Sequence, residues 1–185
     1  MNIKNSLMNL LPFQWLENAS ADDLLQHLGT TSYKKEFSIL YSESVFRKLP
    51  RLIQDVYLIV EFDISLQMSG IFGFIENSQY INETIETLRR IGASEDSEIL
   101  LKIRDLLSNE KGKMFEFRSN HNKVKLFQIT TFKQRHNNLD DEVVEKIGIE
   151  ADNLYLYHND RNIFDYLLKH IDAYKHKLFE EIYKR

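Results

Sequence analysis

The spacing of apolar residues along the chain predicts a succession of amphipathic helices. After Pro50, apolar side chains recur at intervals of three and four and cover nearly every face, which is typical of a central, deeply packed helix. This helix is predicted to end near Gly70. A second helix follows Ser78 and ends at Gly92, and a third begins at Ser94 with acidic residues in its first turn.

Helix boundaries are also indicated elsewhere in the chain. Ser20 followed by two aspartates predicts a capped helix start. Gly29 and Gly148 are each predicted to end a helix, and the last helix is expected from about Asn162.

Residues 113–132 allow two interpretations. Alternation at 115–117, a turn cluster at 119–122 and a strand-like run at 124–129 favour a small β-hairpin, whereas helical spacing of apolar residues is also present. Because the surrounding chain is helical, we favour a helix and keep the hairpin as the alternative. The predicted fold class is mainly α, a compact helical bundle forming a single domain over residues 1–185.

The amino-acid composition favours a folded protein and excludes every site that needs a cysteine. Apolar residues make up 43% of the 185, which is enough for a packed core, and the chain has no cysteine. Disulfides, thiolate metal sites and cysteine nucleophiles are therefore excluded. The N-terminal stretch lacks a signal-peptide pattern and the roughly 20 apolar residues of a membrane span. We expect a cytoplasmic protein that does not contact a membrane.

The net charge is −4, and the charged residues are unevenly distributed along the chain. Residues 1–100 carry 8 basic against 14 acidic side chains, whereas residues 101–135 carry 9 against 3. Basic residues are interleaved with aromatic residues within 113–135, a pattern seen in nucleic-acid-binding segments. Since the chain as a whole is acidic, direct nucleic-acid binding is not expected, and we favour internal neutralisation of the basic segment.

The stretch QMSGIFGFIENS, residues 67–78, is the one that most resembles a ligand-binding loop. Its Gly70-x-x-Gly73 pair lacks phosphate-loop spacing and an adjacent lysine, and it follows a helix rather than a strand. Bulky apolar residues between and after the glycines would obstruct a ligand. We interpret the stretch as a joint between two helices.

Catalytic chemistry has little support in the sequence. The six histidines show no metal-ligand spacing, and no nucleophile elbow is present. Glu61 and Asp63 lie on the apolar helix and, with a histidine, provide the alternative hypothesis of a small hydrolase. We predict no catalytic, cofactor-binding or metal-binding residue, and hence no enzyme and no cofactor.

The run from Glu61 to Ala93 resembles the DNA-mimic protein (DMP-type) family, much of which is classed as a domain of unknown function. That family has a helix ending in an Asn-Gly-Gly-Phe-like turn, then aromatics, an Asn-Ser, and a helix ending in Ile-Gly-Ala. Met68 and Ile71 replace the Asn and Phe of the turn. Ser69 stands in place of the first glycine of the turn. The matching motif positions are Gly70, Phe72, Phe74, Asn77, Ser78 and Gly92.

The resemblance implies a helical, non-catalytic protein whose surface carboxylates imitate DNA phosphates and occupy the DNA-binding face of a transcription factor. An acidic array of that kind would bind a basic protein with strong salt dependence. An immunity or antitoxin-like role is the alternative, and homodimer formation stays open. If function runs through an acidic face, the candidate residues form two groups. These are Glu83, Glu86, Glu95, Asp96 and Glu98 around Gly92, and Asp140, Asp141, Glu142 and Glu145 at a later helix start.

Overall fold

The computed structural model describes residues 3–31, 34, 37, 40, 42–109 and 141–184, and in these ranges it contains helices and no strand. The helices are α1 (Ile3–Leu10), α2 (Phe13–Asn18), α3 (Ala21–Thr31), α4 (Glu43–Phe46), α5 (Arg51–Asn77), α6 (Ile81–Ile91), α7 (Ser94–Asn109), α8 (Asp141–Ala151) and α9 (Ile163–Tyr183), with a 3-10 turn at Tyr155–Tyr157. The mainly α class is confirmed. The helix or hairpin predicted at 113–132 lies outside the described residues.

The chain divides into two compact units. The first comprises Met1–Glu61 and Ile163–Arg185, and the second comprises Phe62–Asn162. The division falls within α5, so that each unit contains one part of this helix. The organisation as a single domain stays a prediction.

In the first unit, α9 packs against α3 and also contacts α1 and α2. The start of α3 is fixed by a reciprocal capping box: the Asp23 backbone N–H donates to the Ser20 hydroxyl at 3.1 Å, and the Ser20 N–H donates to the Asp23 carboxylate at 2.9 Å. The predicted cap is therefore confirmed. A buried hydrogen bond joins α5 to α9, with His170 Nε2 lying 3.1 Å from the Asp55 carboxylate.

In the second unit, α7 packs against both α6 and α8. The predicted apolar stripe of α6 is buried, with Ile85 and Leu88 at its centre. Ile103 of α7 and Ile147 of α8 are also fully buried. This core holds the loop between α8 and α9 on one side of α7, where Tyr155 is buried as well.

The predicted joint is present within α5. Gly70 has φ +65° and ψ −172°, a backbone conformation that interrupts the helix and that residues with a Cβ rarely adopt. The chain changes direction there so sharply that the side chain of Ser69 lies against Gly73. A Cβ added at Gly73 would be 2.1 Å from the Ser69 Cβ, so a glycine is required at this position as well.

The other residues of the joint have structural contacts. Phe74 is buried and packs edge-on against Phe62, with ring centroids 4.9 Å apart. The Asn77 side-chain amide donates to the Gly73 carbonyl at 2.7 Å, and the Ser78 hydroxyl accepts from the Tyr80 backbone N–H at 3.1 Å. The first bond satisfies a carbonyl near the end of α5 and the second a backbone N–H just before α6, as expected for residues that shape a turn.

Two predicted helix ends are wrong. Gly29 lies inside α3, which continues to Thr31, and Gly148 lies inside α8, which continues to Ala151. Neither glycine has a positive φ. A Cβ at Gly29 would lie 3.6 Å from the Val60 side chain, an ordinary van der Waals distance, so this position has room for a Cβ atom.

Among the described residues, α5 is the helix that is long and apolar enough to cross a membrane by length and composition. Half of its most apolar stretch is buried inside the protein, and core helices meet the same criteria. Its buried carboxylates have specific partners: Asp55 pairs with His170, and Asp63 accepts a hydrogen bond from Tyr155. Paired acids of this kind are typical of a core helix.

Candidate functional site

The corner between α6 and α7 positions the first group of predicted acidic residues. Gly92 has φ +97°, and the Ala93 backbone N–H donates to the Leu88 carbonyl at 2.9 Å, which closes α6 in a Schellman motif. The Ser97 hydroxyl then donates to the Ile85 carbonyl at 3.0 Å and attaches the start of α7 to α6. The first turn of α7 is therefore held in a fixed place.

Three carboxylates of this group are exposed. Glu86 on α6 has a side chain 63% exposed, and Glu95 at the start of α7 has one 75% exposed. Glu98 is also exposed and lies one turn after Glu95, on the same side of the helix. Glu86 pairs with Arg89 at 3.5 Å, a surface ion pair that contributes little to stability and leaves the carboxylate accessible.

Asp96 is not part of the surface, so its inclusion among the exposed candidates is wrong. It is 1% exposed and accepts a hydrogen bond from the Tyr155 backbone N–H at 2.7 Å. Burial raises the pKa of its carboxyl group above the ordinary value, against the opposing effect of that hydrogen bond. Asp96 thus fixes the loop after α8 and has a structural role.

Glu83 is half-buried on α6 and has an interaction partner of its own. Of the second predicted group, Asp140 and the side chain of Asp141 lie outside the described residues. Glu142 is 75% exposed and pairs with Lys146 at 2.6 Å, which holds the pKa of the Glu142 carboxyl below its ordinary value. Glu145 is exposed on the same helix.

An open cleft of about 320 Å³ lies beside the first group. It is lined by one side of α7 and by the loop that follows α8, through Glu95, Glu98, Ile99, Lys102, Asn153, His158, Asp160 and Arg161. Arg161 is the best-fixed residue of the cleft: its side chain is 13% exposed, pairs with Glu95 at 2.6 Å and donates to the Asn153 carbonyl.

The loop residues of the cleft were missed by sequence reasoning. His158, Asp160 and Arg161 belong to the polar run 158–162, which reads as an ordinary loop. Arg161 is connected to the corner by an ion pair spanning 66 positions in the sequence, and no local pattern indicates such a contact.

The two acids of the hydrolase hypothesis, Asp63 and Glu61, both lie on α5. Asp63 is 9% exposed and accepts hydrogen bonds from the Tyr155 hydroxyl at 2.5 Å and from the Gln67 side chain at 2.8 Å. Burial, followed by the Asp63 carboxylate, raises the pKa of Tyr155, so this hydroxyl stays protonated and donates. Glu61 is half-buried on the same helix and also has a partner.

Among the described residues, a histidine lies next to a buried acid at His170 and Asp55, whereas Asp63 is bonded to Tyr155 and Gln67. Within the part of the chain that the structure describes, no three His, Asp or Glu side chains are grouped closely enough to hold a metal ion. The geometry at Asp63 is that of a hydrogen-bonded structural acid.

Comparison with known proteins identifies a family for this chain. A family model described as DMP19-like protein matches residues 47–174, which is well over half of the chain and includes α5 to α8 with the cleft. No curated protein and no solved structure matches.

Proposed function

This chain belongs to the DMP19-like protein family, and we propose that it is a non-catalytic, cytoplasmic module that binds a basic protein through exposed carboxylates at the α6–α7 corner. The observation that carries the proposal is the exposure of Glu86, Glu95 and Glu98 on a corner that is fixed by the Gly92 turn and the Ser97 hydrogen bond. The resemblance of residues 61–93 to DNA-mimic proteins supports the same function.

Exposed carboxylates on a rigid surface attract the lysines and arginines that a DNA-binding protein presents to phosphates. Because the corner is held by backbone and side-chain hydrogen bonds, little conformational entropy is lost when a partner binds. A transcription factor whose basic face contacts DNA is the kind of partner that fits this chemistry. Binding of this kind excludes DNA from the partner.

The experiment compares two double charge reversals in the full-length chain. Glu86→Lys with Glu98→Lys changes the proposed face, whereas Glu17→Lys with Asp172→Lys makes the same change in net charge at exposed positions of the other unit. Glu95 is left intact, because a lysine there would face Arg161. We expect all variants to melt within a few degrees of the wild type, since exposed charges contribute little to folding.

Immobilised wild type and the Glu17/Asp172 variant should capture the same basic protein from an extract of the native host, and the Glu86/Glu98 variant should not. Washing at high salt should release the captured protein, because charges on the surface are screened within about 8 Å at physiological ionic strength. Equal capture by the Glu86/Glu98 variant would show that the corner is not the binding face.

A further inference from the structure

Two large apolar side chains are exposed near the end of α8 and in the loop that follows it. Ile149, on α8, is 58% exposed, and Tyr157, in the 3-10 turn, is 60% exposed. Within the described part of the second unit, the other exposed side chain of this kind is Met68. Covering Ile149 and Tyr157, the apolar pair, would remove apolar surface from water and so favour binding of a partner.

The loop that contains Tyr157 is attached to the α6–α7 corner on both sides of this residue. Two residues before it, the Tyr155 backbone N–H donates to the Asp96 carboxylate at 2.7 Å. Four residues after it, Arg161 pairs with Glu95 at 2.6 Å. Because two residues span at most about 7 Å, Tyr157 lies beside the first turn of α7.

Hydrogen bonds also hold Ile149 close to this loop. The Asn153 side-chain amide donates to the Ile149 carbonyl at 2.9 Å, and the Asn153 carbonyl accepts from Arg161. The Tyr157 backbone N–H donates to the Leu154 carbonyl at 3.0 Å. Since the backbone on both sides of the apolar pair is fixed by these bonds, little conformational entropy is lost when a partner covers it.

The surroundings of the apolar pair are acidic. Glu98 and Asp160 line the cleft together with His158, the residue that follows Tyr157. Both carboxylates are exposed, and neither forms an ion pair with another residue in the described ranges 42–109 and 141–184. A second copy of this chain, placed here by a two-fold axis, would bring the same carboxylates together, and repulsion between like charges opposes that contact. A basic protein is attracted instead.

We propose that Tyr157 and Ile149 are the apolar anchor of the binding face, and that the basic partner presents an apolar or aromatic side chain among its lysines and arginines. The inference rests on the proposed function and specifies the chemistry of the partner. Protein interfaces combine an apolar centre with a polar rim, and tyrosine is enriched among the residues that dominate binding. A typical interface covers about 800 Å² on each partner, an area wide enough for the corner and the adjoining loop.

The test uses two synthetic peptides, Lys-Lys-Trp-Lys-Lys and Lys-Lys-Ser-Lys-Lys, which have the same charge and differ in one apolar side chain. Their affinities are measured by NMR titration for the full-length wild type and for a variant with Tyr157→Ala and Ile149→Ala. We expect the wild type to bind the tryptophan peptide about threefold or more tightly than the serine peptide, as contacts between aromatic rings allow. The variant should bind the two peptides equally.

Two further variants are the controls. Tyr157→Phe keeps the ring and removes the hydroxyl group, so it should retain the preference for the tryptophan peptide. Tyr174→Ala removes an exposed tyrosine of the other unit and should retain it as well. The same preference in the wild type and in the Tyr157/Ile149 variant would overturn the proposal. A wild type that dimerises in sedimentation, with a monomeric Tyr157/Ile149 variant, would also overturn it, because a second copy would then cover the apolar pair.

The two proposals fail in different ways. If the preference survives in the Tyr157/Ile149 variant while capture of the host protein depends on Glu86 and Glu98, the corner is the binding face and the apolar anchor is wrong. If the preference is lost in that variant and capture is insensitive to reversal of Glu86 and Glu98, the proposed function is wrong and the apolar pair is a contact surface of its own.

Discussion

Replacing Gly73 by alanine places a carbon atom where the side chain of Ser69 already lies. The added Cβ would be 2.1 Å from the Ser69 Cβ and 3.2 Å from its hydroxyl oxygen. Because a Cβ is fixed to its backbone, rotation of the serine side chain cannot relieve the overlap, and the joint at Gly70 has to move. Overpacking of this kind costs about 1–3 kcal/mol, against a gain of up to about 1 kcal/mol from placing alanine in a helix. We therefore expect a net loss of about 1–2 kcal/mol.

The assay is urea-induced unfolding followed by circular dichroism, with Gly148→Ala as the control. Gly148 lies in α8 and an added Cβ would have no atom within 4 Å, so this substitution should stabilise by about 0.5–1 kcal/mol. Ser69→Gly combined with Gly73→Ala should recover most of the loss, since it removes the atom that the alanine meets. Stabilisation by Gly73→Ala comparable to that by Gly148→Ala would refute the description of the joint.

Three further outcomes are expected. Asp96→Asn keeps an acceptor for the Tyr155 N–H and removes a carboxyl group whose pKa is raised above 3.8 by burial. Between the unfolded and the native pKa, the native wild type therefore binds more protons than the unfolded chain does. The wild type should therefore lose stability relative to this variant as the pH rises from about 3.8, and pH-dependent urea unfolding would detect it. His170→Ala removes a hydrogen-bond partner of the fully buried Asp55 and should destabilise by roughly 2–3 kcal/mol, measured in the same assay. Zinc or manganese should not raise the melting temperature, and a shift of several degrees that chelator abolishes would contradict this.

The sequence predicted those features of the fold that depend on local backbone chemistry. The joint at Gly70 and the end of α6 at Gly92 were predictable because a turn between two helices often needs a positive φ, which glycine adopts readily. The capping box at Ser20 depends on residues only three positions apart. Gly29 was misassigned, because a glycine within a helix looks the same in sequence as a glycine that ends a helix.

The candidate site was only half predictable. Glu95 and Asp96 are neighbours with the same charge, yet one is 75% exposed and the other 1%. The difference arises because Tyr155, 59 positions later, donates its backbone N–H to Asp96. The orientation of a helix start toward a distant loop follows from tertiary packing, and periodicity does not show it. His158 and Asp160 were missed for the same reason.

The central claim is that the carboxylates at the α6–α7 corner bind a basic partner by electrostatic attraction. The most direct measurement is the affinity of the purified partner for the wild type and for the Glu86→Lys, Glu98→Lys variant over a series of salt concentrations. We predict that wild-type affinity falls steadily as salt rises, and that the variant binds at least about tenfold more weakly at low salt with a shallower dependence. An affinity that is independent of salt, or equal for the two proteins, would contradict the account.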